Sequence, residues 1–308
     1  KKFVQNLNNY KVAVDNYLYE FKFLLSFTTE SEHAIENQKI AINDMSLNKL
    51  KESIYCSNGL ARQKLEVSKK NLETMKMIED ALMSKNLVSH YQPIYNIAEK
   101  KIEKYESLVR IAKDGKVISP YFFIDVAKKS ALYKKITIQV LENSFNMLKN
   151  IDEGITVNLS AVDIEDIDIR NLLLGYFTVP EYFGRVTFEF LEDETISDFE
   201  LIKDFIGLAK IMGGVSLAID DFGSGYSNYE RLVEIKPDIV KIDGSLIKGI
   251  HNNTSNQNIV KSIVQFAKNE NIKTVAEFVS DEDTFECVKS LGIDYAQGYF
   301  IGKPCEIS

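Results

Sequence analysis

Val215-Ser216-Leu217-Ala218-Ile219-Asp220-Asp221-Phe222-Gly223-Ser224-Gly225 decides how the chain is read. A short apolar, partly β-branched run ends in two adjacent aspartates and a glycine-rich turn, which is the pattern of a buried strand ending in acid and passing into a loop. The same grammar recurs on both sides. Lys101 to Ile111 carries Glu106 and Arg110, Gly154-Ile155-Thr156-Val157 runs into Asn158, and Arg185-Val186-Thr187-Phe188 into Glu189. Further on, Asp238-Ile239-Val240 meets Lys241, Ile272-Lys273-Thr274-Val275-Ala276 meets Glu277, and Ile293-Asp294-Tyr295-Ala296 meets Gln297. Successive polar stations lie 52, 31, 31, 21, 36 and 20 residues apart, room each time for a strand and a helical crossover. This predicts an α/β protein, a (β/α)8 TIM-like barrel, whose strand ends bring the stations to one mouth. Crowded carboxylates there call for a compensating cation, and a hard divalent ion with oxygen ligands is the usual one. For any single carboxylate, capping of the following helix is an even alternative; for the whole series it is not.

The composition leaves room for this fold and closes others. The chain has 308 residues, 45% of them hydrophobic and 27% charged, which excludes disordered and fibrous classes. Its formal charge of −8 argues against duplex nucleic acid or an anionic membrane as partner. Cys56, Cys287 and Cys305 are too scattered for a disulfide framework or a thiolate metal site, and with no apolar run long enough to span a bilayer a cytoplasmic setting is expected. All five prolines and every glycine except Gly59 lie beyond residue 90, so the sequence divides into 1–85 and 86–308. The first part is expected to be mostly helical. Leu50, Ile54, Leu65, Leu72, Met75, Ile78 and Leu82 recur as one stripe between Leu47 and Met83, and Phe21 to Phe27 reads as a buried strand before it.

Eight ordered motifs give the second part a family likeness. They are Tyr91-Gln92-Pro93-Ile94, Tyr105-Glu106-Ser107-Leu108-Val109-Arg110, Val157-Asn158-Leu159-Ser160, Glu189-Phe190-Leu191-Glu192, Asp220 to Ser227, Lys241-Ile242-Asp243, Ala276-Glu277-Phe278-Val279-Ser280 and Gln297-Gly298-Tyr299-Phe300. From Leu87 to Pro304 the sequence resembles the EAL domains, which hydrolyse the bacterial second messenger cyclic di-GMP. The resemblance implies two Mg²⁺ or Mn²⁺ ions, one on Glu106, Asn158, Glu189 and Asp220, the other on Asp220, Asp221 and Glu277. It implies further that Lys241 and Glu277 position and deprotonate the attacking water, and that Gln92, Leu108, Arg110 and Gln297 contact the dinucleotide. Arg110 also has a physical case of its own, since a guanidinium fork matches a phosphate. Glu192 with Phe222, Gly223, Ser224 and Gly225 matches a regulatory loop coupled to dimerisation, so a homodimer is expected, with an upstream sensory or regulatory domain before it.

Two departures stand out. Phe278 occupies a position where the family has glycine, which implies either an ordinary backbone there or a ring filling space at the mouth, and Ser280 replaces a glutamate that supports the substrate. The second change keeps open the alternative of a catalytically inactive cyclic di-GMP receptor signalling through the N-terminal helix. His33, His90 and His251 match no metal station, and Tyr121-Phe122-Phe123 read as packing core. Phe23 to Thr28, followed by a helix around Leu47 to Tyr55, resembles the end of a GGDEF cyclase-like domain without its signature; a plain helical linker is the equal alternative.

Overall fold

The structure, a computed structural model, describes residues 11–14, 17–20, 25–27, 42, 54–56, 60–192, 199–225 and 229–307. It divides into two compact units, Lys1–Lys76 and Met77–Ser308. In the first, β1 (Lys11–Val14) pairs antiparallel with β2 (Tyr17–Glu20), and β3 (Leu25–Phe27) parallel with β4 (Ile54–Cys56). These strands correct the mostly helical expectation for the described residues before 60. The helix expected from Leu47 begins at Leu60 and ends at Met83; Ile54, counted in its stripe, lies in a strand, which β-branched residues favour. Residues 47–53, which carry the rest of that expectation, lie outside the described residues. Within the stripe Ile78 is buried and Leu72 is exposed.

The second unit is the barrel. Its strands are β5 (Leu87–Asn96), β6 (Lys101–Lys113, extended by a hairpin to β7, Lys116–Ile118), β8 (Gly154–Asn158), β9 (Val186–Leu191), β10 (Ser216–Phe222), β11 (Ile239–Ile242), β12 (Lys273–Ala276) and β13 (Tyr295–Gln297). β6, β8, β9, β10, β11, β12 and β13 pair in that order, each parallel to the next, and β5 closes the ring between β13 and β6. β5 alone runs antiparallel to both neighbours. The cause is the connection: only residues 97–100 join β5 to β6, which suffices for a hairpin and not for a crossover. The other links carry helices, including Leu132–Met147, Ile167–Phe177, Phe199–Gly213 and Thr254–Asn269.

β9 is buried but for its last residue and β8 through its middle three residues, as expected of strands covered on both faces. Alternation along the strands builds the interior in layers. Two residues before the polar stations, Ala218, Ile239, Val275 and Tyr295 join Ile94 of β5 in one buried apolar cluster, a floor beneath the mouth. Of Tyr121-Phe122-Phe123, only Phe123 is core; Tyr121 and Phe122 are exposed and stack edge-on upon each other. Among the described residues no helix is long and apolar enough to cross a membrane.

Candidate active site

The mouth layer is organised around one buried ammonium. Lys241, at the end of β11 and 1% exposed, has its Nζ 3.0 Å from Glu189 Oε2, Asp220 Oδ1 and Glu277 Oε1, and 3.5 Å from Glu106 Oε2. Burial alone would push the ammonium's pKa down; Asp220, Glu106, Glu189 and Glu277 reverse this and hold it well above the usual lysine range. The carboxylates diverge in turn. Burial works to raise Glu106, yet Lys241 and the amides of Gln297 and Asn158 outweigh it and hold the carboxyl below its ordinary value. Burial raises Glu189 well above that value despite Lys241, helped by the nearby charges of Glu106 and Asp220. Burial, with Asp220 and Glu106 beside it, also brings Glu277 up to about 8.

Neutral donors fix the frame. Asn158 Nδ2 donates to Glu106 Oε1 at 2.9 Å and Gln297 Nε2 to Glu106 Oε2 at 2.6 Å. Gln92, opposite Glu106 in the β5–β6 register, donates to the Gly302 carbonyl at 3.2 Å and accepts from Gln297 at 3.4 Å. Asp221 follows Asp220 with a left-handed backbone (φ 57°), a conformation that aspartate tolerates. Glu192 binds the turn from the neighbouring strand: its N–H donates to the Asp220 carbonyl, and its Oε2 accepts from Gly223 N–H at 3.3 Å. Gly223 has φ 98°, and a Cβ there would lie 2.5 Å from Leu246 Cδ1, so the turn requires glycine. Ser224 donates its N–H to the Asp221 carbonyl.

Asp220, Asp221 and Glu277 can each bring one oxygen within 4.8 Å of the others. That donor set suits a hard divalent cation, and Asp220 Oδ1, buried without a hydrogen-bond donor although in ion-pair reach of Lys241, has coordination capacity to spare. Glu106, Asn158, Glu189 and Asp220 are gathered differently, three of them around Lys241 and Asn158 through Glu106. Gln92, Leu108 and Arg110 line a cavity of about 660 Å³ at the mouth, together with Gln297, Glu277 and Asp221. A second cavity of about 330 Å³ shares Glu106 and Leu108 with it and reaches Asn158, Tyr133 and Pro120.

All the stations read from the sequence therefore lie at one mouth. What that reading missed is at the rim: Lys248 and Tyr299 line the larger cavity and belong to no strand end. Phe278 adopts φ 53°, so the glycine-like backbone is kept under a phenylalanine, against the ordinary-backbone option; the signal was already present in the glycine it replaces. His251 meets Thr284, and His90 lies 3.8 Å from Glu306, both apart from the mouth layer.

The sequence model described as "EAL domain" matches residues 75–304. The chain belongs to the EAL domain family. This EAL domain is 34% identical over 243 residues to the probable cyclic di-GMP phosphodiesterase PdeA of Escherichia coli K12, covering 76% of this chain and 33% of that protein. It is 33% identical over 241 residues to the cyclic di-GMP phosphodiesterase PdeB of Shewanella oneidensis, covering 74% of this chain and 27% of that one. The chain thus spans about a third of the length of the curated relatives it matches. Among solved structures, the PaMucR phosphodiesterase in its c-di-GMP complex superposes with a TM-score of 0.67 at 29% identity, covering 76% of this chain and 97% of that one. The Xanthomonas citri FimX EAL domain, solved in complex with c-diGMP, gives 0.71 at 21% identity over 79% of this chain and 97% of its own, a likeness of fold.

Proposed function

We propose that this EAL domain is a metal-dependent phosphodiesterase that hydrolyses cyclic di-GMP to linear 5′-pGpG. The observation that carries the reading is the 3.0 Å pair of Lys241 Nζ and Glu277 Oε1, set beside an acidic triad suited to a divalent cation. Glu106, Asn158, Glu189 and Asp220 would hold one Mg²⁺ or Mn²⁺, and Asp220, Asp221 and Glu277 a second. Such ions supply Lewis-acid polarisation of the phosphodiester and make water a better nucleophile at neutral pH. The side chains do the rest. Glu277, as carboxylate, takes the proton of the attacking water at Oε1, and Lys241 Nζ orients that water and offsets charge gathering on the phosphate. Arg110 pairs with phosphate oxygens, while Gln92, Leu108 and Gln297 hold the nucleotide so that the P–O3′ bond breaks and the phosphate stays on the 5′ oxygen.

The test is incubation with cyclic di-GMP and Mg²⁺ or Mn²⁺. Linear product is expected, and Glu106→Ala and Glu277→Ala should each abolish it in folded protein. Binding without product at any metal concentration would make the barrel a receptor instead, the reading that Ser280 favours. A homodimer in a cytoplasmic setting, coupled through Glu192 and the Phe222–Gly225 turn, belongs to the same proposal; light scattering checks its stoichiometry.

A further inference from the structure

Phe278 is an outlier with a neighbour. A residue with a Cβ in the left-handed region is strained, and a bulky ring gains nothing there that glycine lacks except the ring itself. The ring is 52% exposed, so burial does not explain it. It follows Glu277 directly and borders the 660 Å³ cavity that Arg110 also lines. Lys248 Nζ stands 4.1 Å from its centroid, and Gly244 lies so close that a Cβ on it would be 2.2 Å from Phe278 Cδ2. The ring is thereby fixed between a bare backbone and an ammonium. Lys248 lines the same cavity and no other element of the site uses it.

We infer that Phe278 and Lys248 form a base-recognition wall in which the exposed edge of the ring offers apolar surface to a purine and the held ammonium donates to the O6/N7 acceptor edge of guanine. The inference rests on the hydrolytic reading above and deepens it. A guanine presents two acceptors on that edge, whereas adenine places an amino donor beside N7, so an ammonium there favours guanine. The wall supplies a contact on the side where Ser280 offers no carboxylate; Ser280 Oγ instead donates to Asp281. Phe278 acts as a positioning residue for Lys248 as well as a surface, because an unheld lysine would give up more side-chain entropy on binding.

The experiment is steady-state hydrolysis of cyclic di-GMP, with cyclic di-AMP as competitor, on wild type, Phe278→Leu, Phe278→Gly and Lys248→Met, each with its thermal midpoint. Phe278→Leu and Lys248→Met should raise KM about five- to tenfold with kcat within about twofold, as befits contacts worth roughly a factor of ten. Lys248→Met should also narrow the preference for cyclic di-GMP over cyclic di-AMP by about fivefold. Phe278→Gly should raise KM while the thermal midpoint holds or rises, because the left-handed strain is relieved. An unchanged KM in Phe278→Leu and Lys248→Met, or a loss confined to kcat or to the midpoint, overturns the inference and leaves hydrolysis standing. A wild type that neither hydrolyses nor binds cyclic di-GMP overturns both.

Discussion

The inner and outer parts of the barrel mouth are built on opposite terms. Inside, Lys241, Glu189 and Glu106 are buried; Lys241 and Glu106 each have several polar partners within 3.5 Å, and Glu189 is held by Lys241 at 3.0 Å. Outside, Phe278 and Tyr299 are more than half exposed, each with a single lysine over its ring, Lys248 and Lys303. The inner part concentrates charge where the dielectric is low and small displacements are costly, as bond breaking requires. The outer part uses weak, solvent-facing contacts that can be exchanged at little cost to the fold, as selectivity requires. The difference suggests that inner substitutions should change stability and turnover together, whereas rim substitutions should change affinity alone.

The largest effect is expected at Lys241. Lys241→Met keeps the buried stem and removes the charge, leaving Glu189, Asp220 and Glu277 without their shared partner. Breaking a buried ion pair from one side costs about 3–5 kcal/mol. Denaturant titration of metal-free protein should show a loss of that order, together with a fall in turnover of about a hundredfold or more. A fully stable variant would remove the contrast between the two regions.

Glu277→Gln comes next, with stability and activity parting in the opposite direction. Turnover should drop by about 10²–10⁴ as the proton acceptor is lost, while metal-free stability at neutral pH holds, because the neutral amide replaces a carboxyl that is itself largely protonated there, and rises above about pH 8, where the wild-type side chain carries a buried charge. The accompanying pH dependence has a definite sign. The folded carboxyl titrates near 8 against an ordinary value of 4.5, so between those values the native state holds a proton that the unfolded chain has released. Metal-free stability should therefore decline as pH rises from about 4.5 toward about 8, and Glu277→Gln should flatten that decline. A wild-type profile that rises across this window would overturn the assignment.

The smallest effect probes the rim. Gly244→Ala forces a methyl group against the Phe278 ring. KM should rise by a few fold, with the thermal midpoint within about 2–4 °C of wild type, the shift that about 1 kcal/mol produces in a domain of this size. A large stability loss would mean that the rim is as tightly built as the interior.

Much of the inner part was legible in the sequence. Strand ends obey a simple rule: a β-branched run followed by Glu189, Asp220, Lys241 or Glu277 must deliver that residue to the mouth if the strands are parallel, so convergence followed without knowledge of any contact. The central place of Lys241 was hidden, because which carboxylates surround an ammonium depends on how far each strand is staggered against the next. β5 was hidden as well, since its apolar run looks like the others and only the short link to β6 betrays its direction. The rim was the least legible. Lys248 lies between two short helices, Gly244–Ile247 and Ile250–Asn252, where no periodicity assigns a side chain to a face.

The reversed strand has a mechanical consequence. Because β5 descends while the others ascend, the chain enters the barrel at the rim of the mouth and not at the opposite end. The helix stops at Met83; four residues later Leu87 stands opposite Ile111 and Val88 opposite Arg110, with the Asn86 carbonyl clamped by the Ala112 N–H at 2.9 Å. A push or twist at the last turn of that helix would therefore reach the rung that carries Arg110 without crossing the body of the barrel.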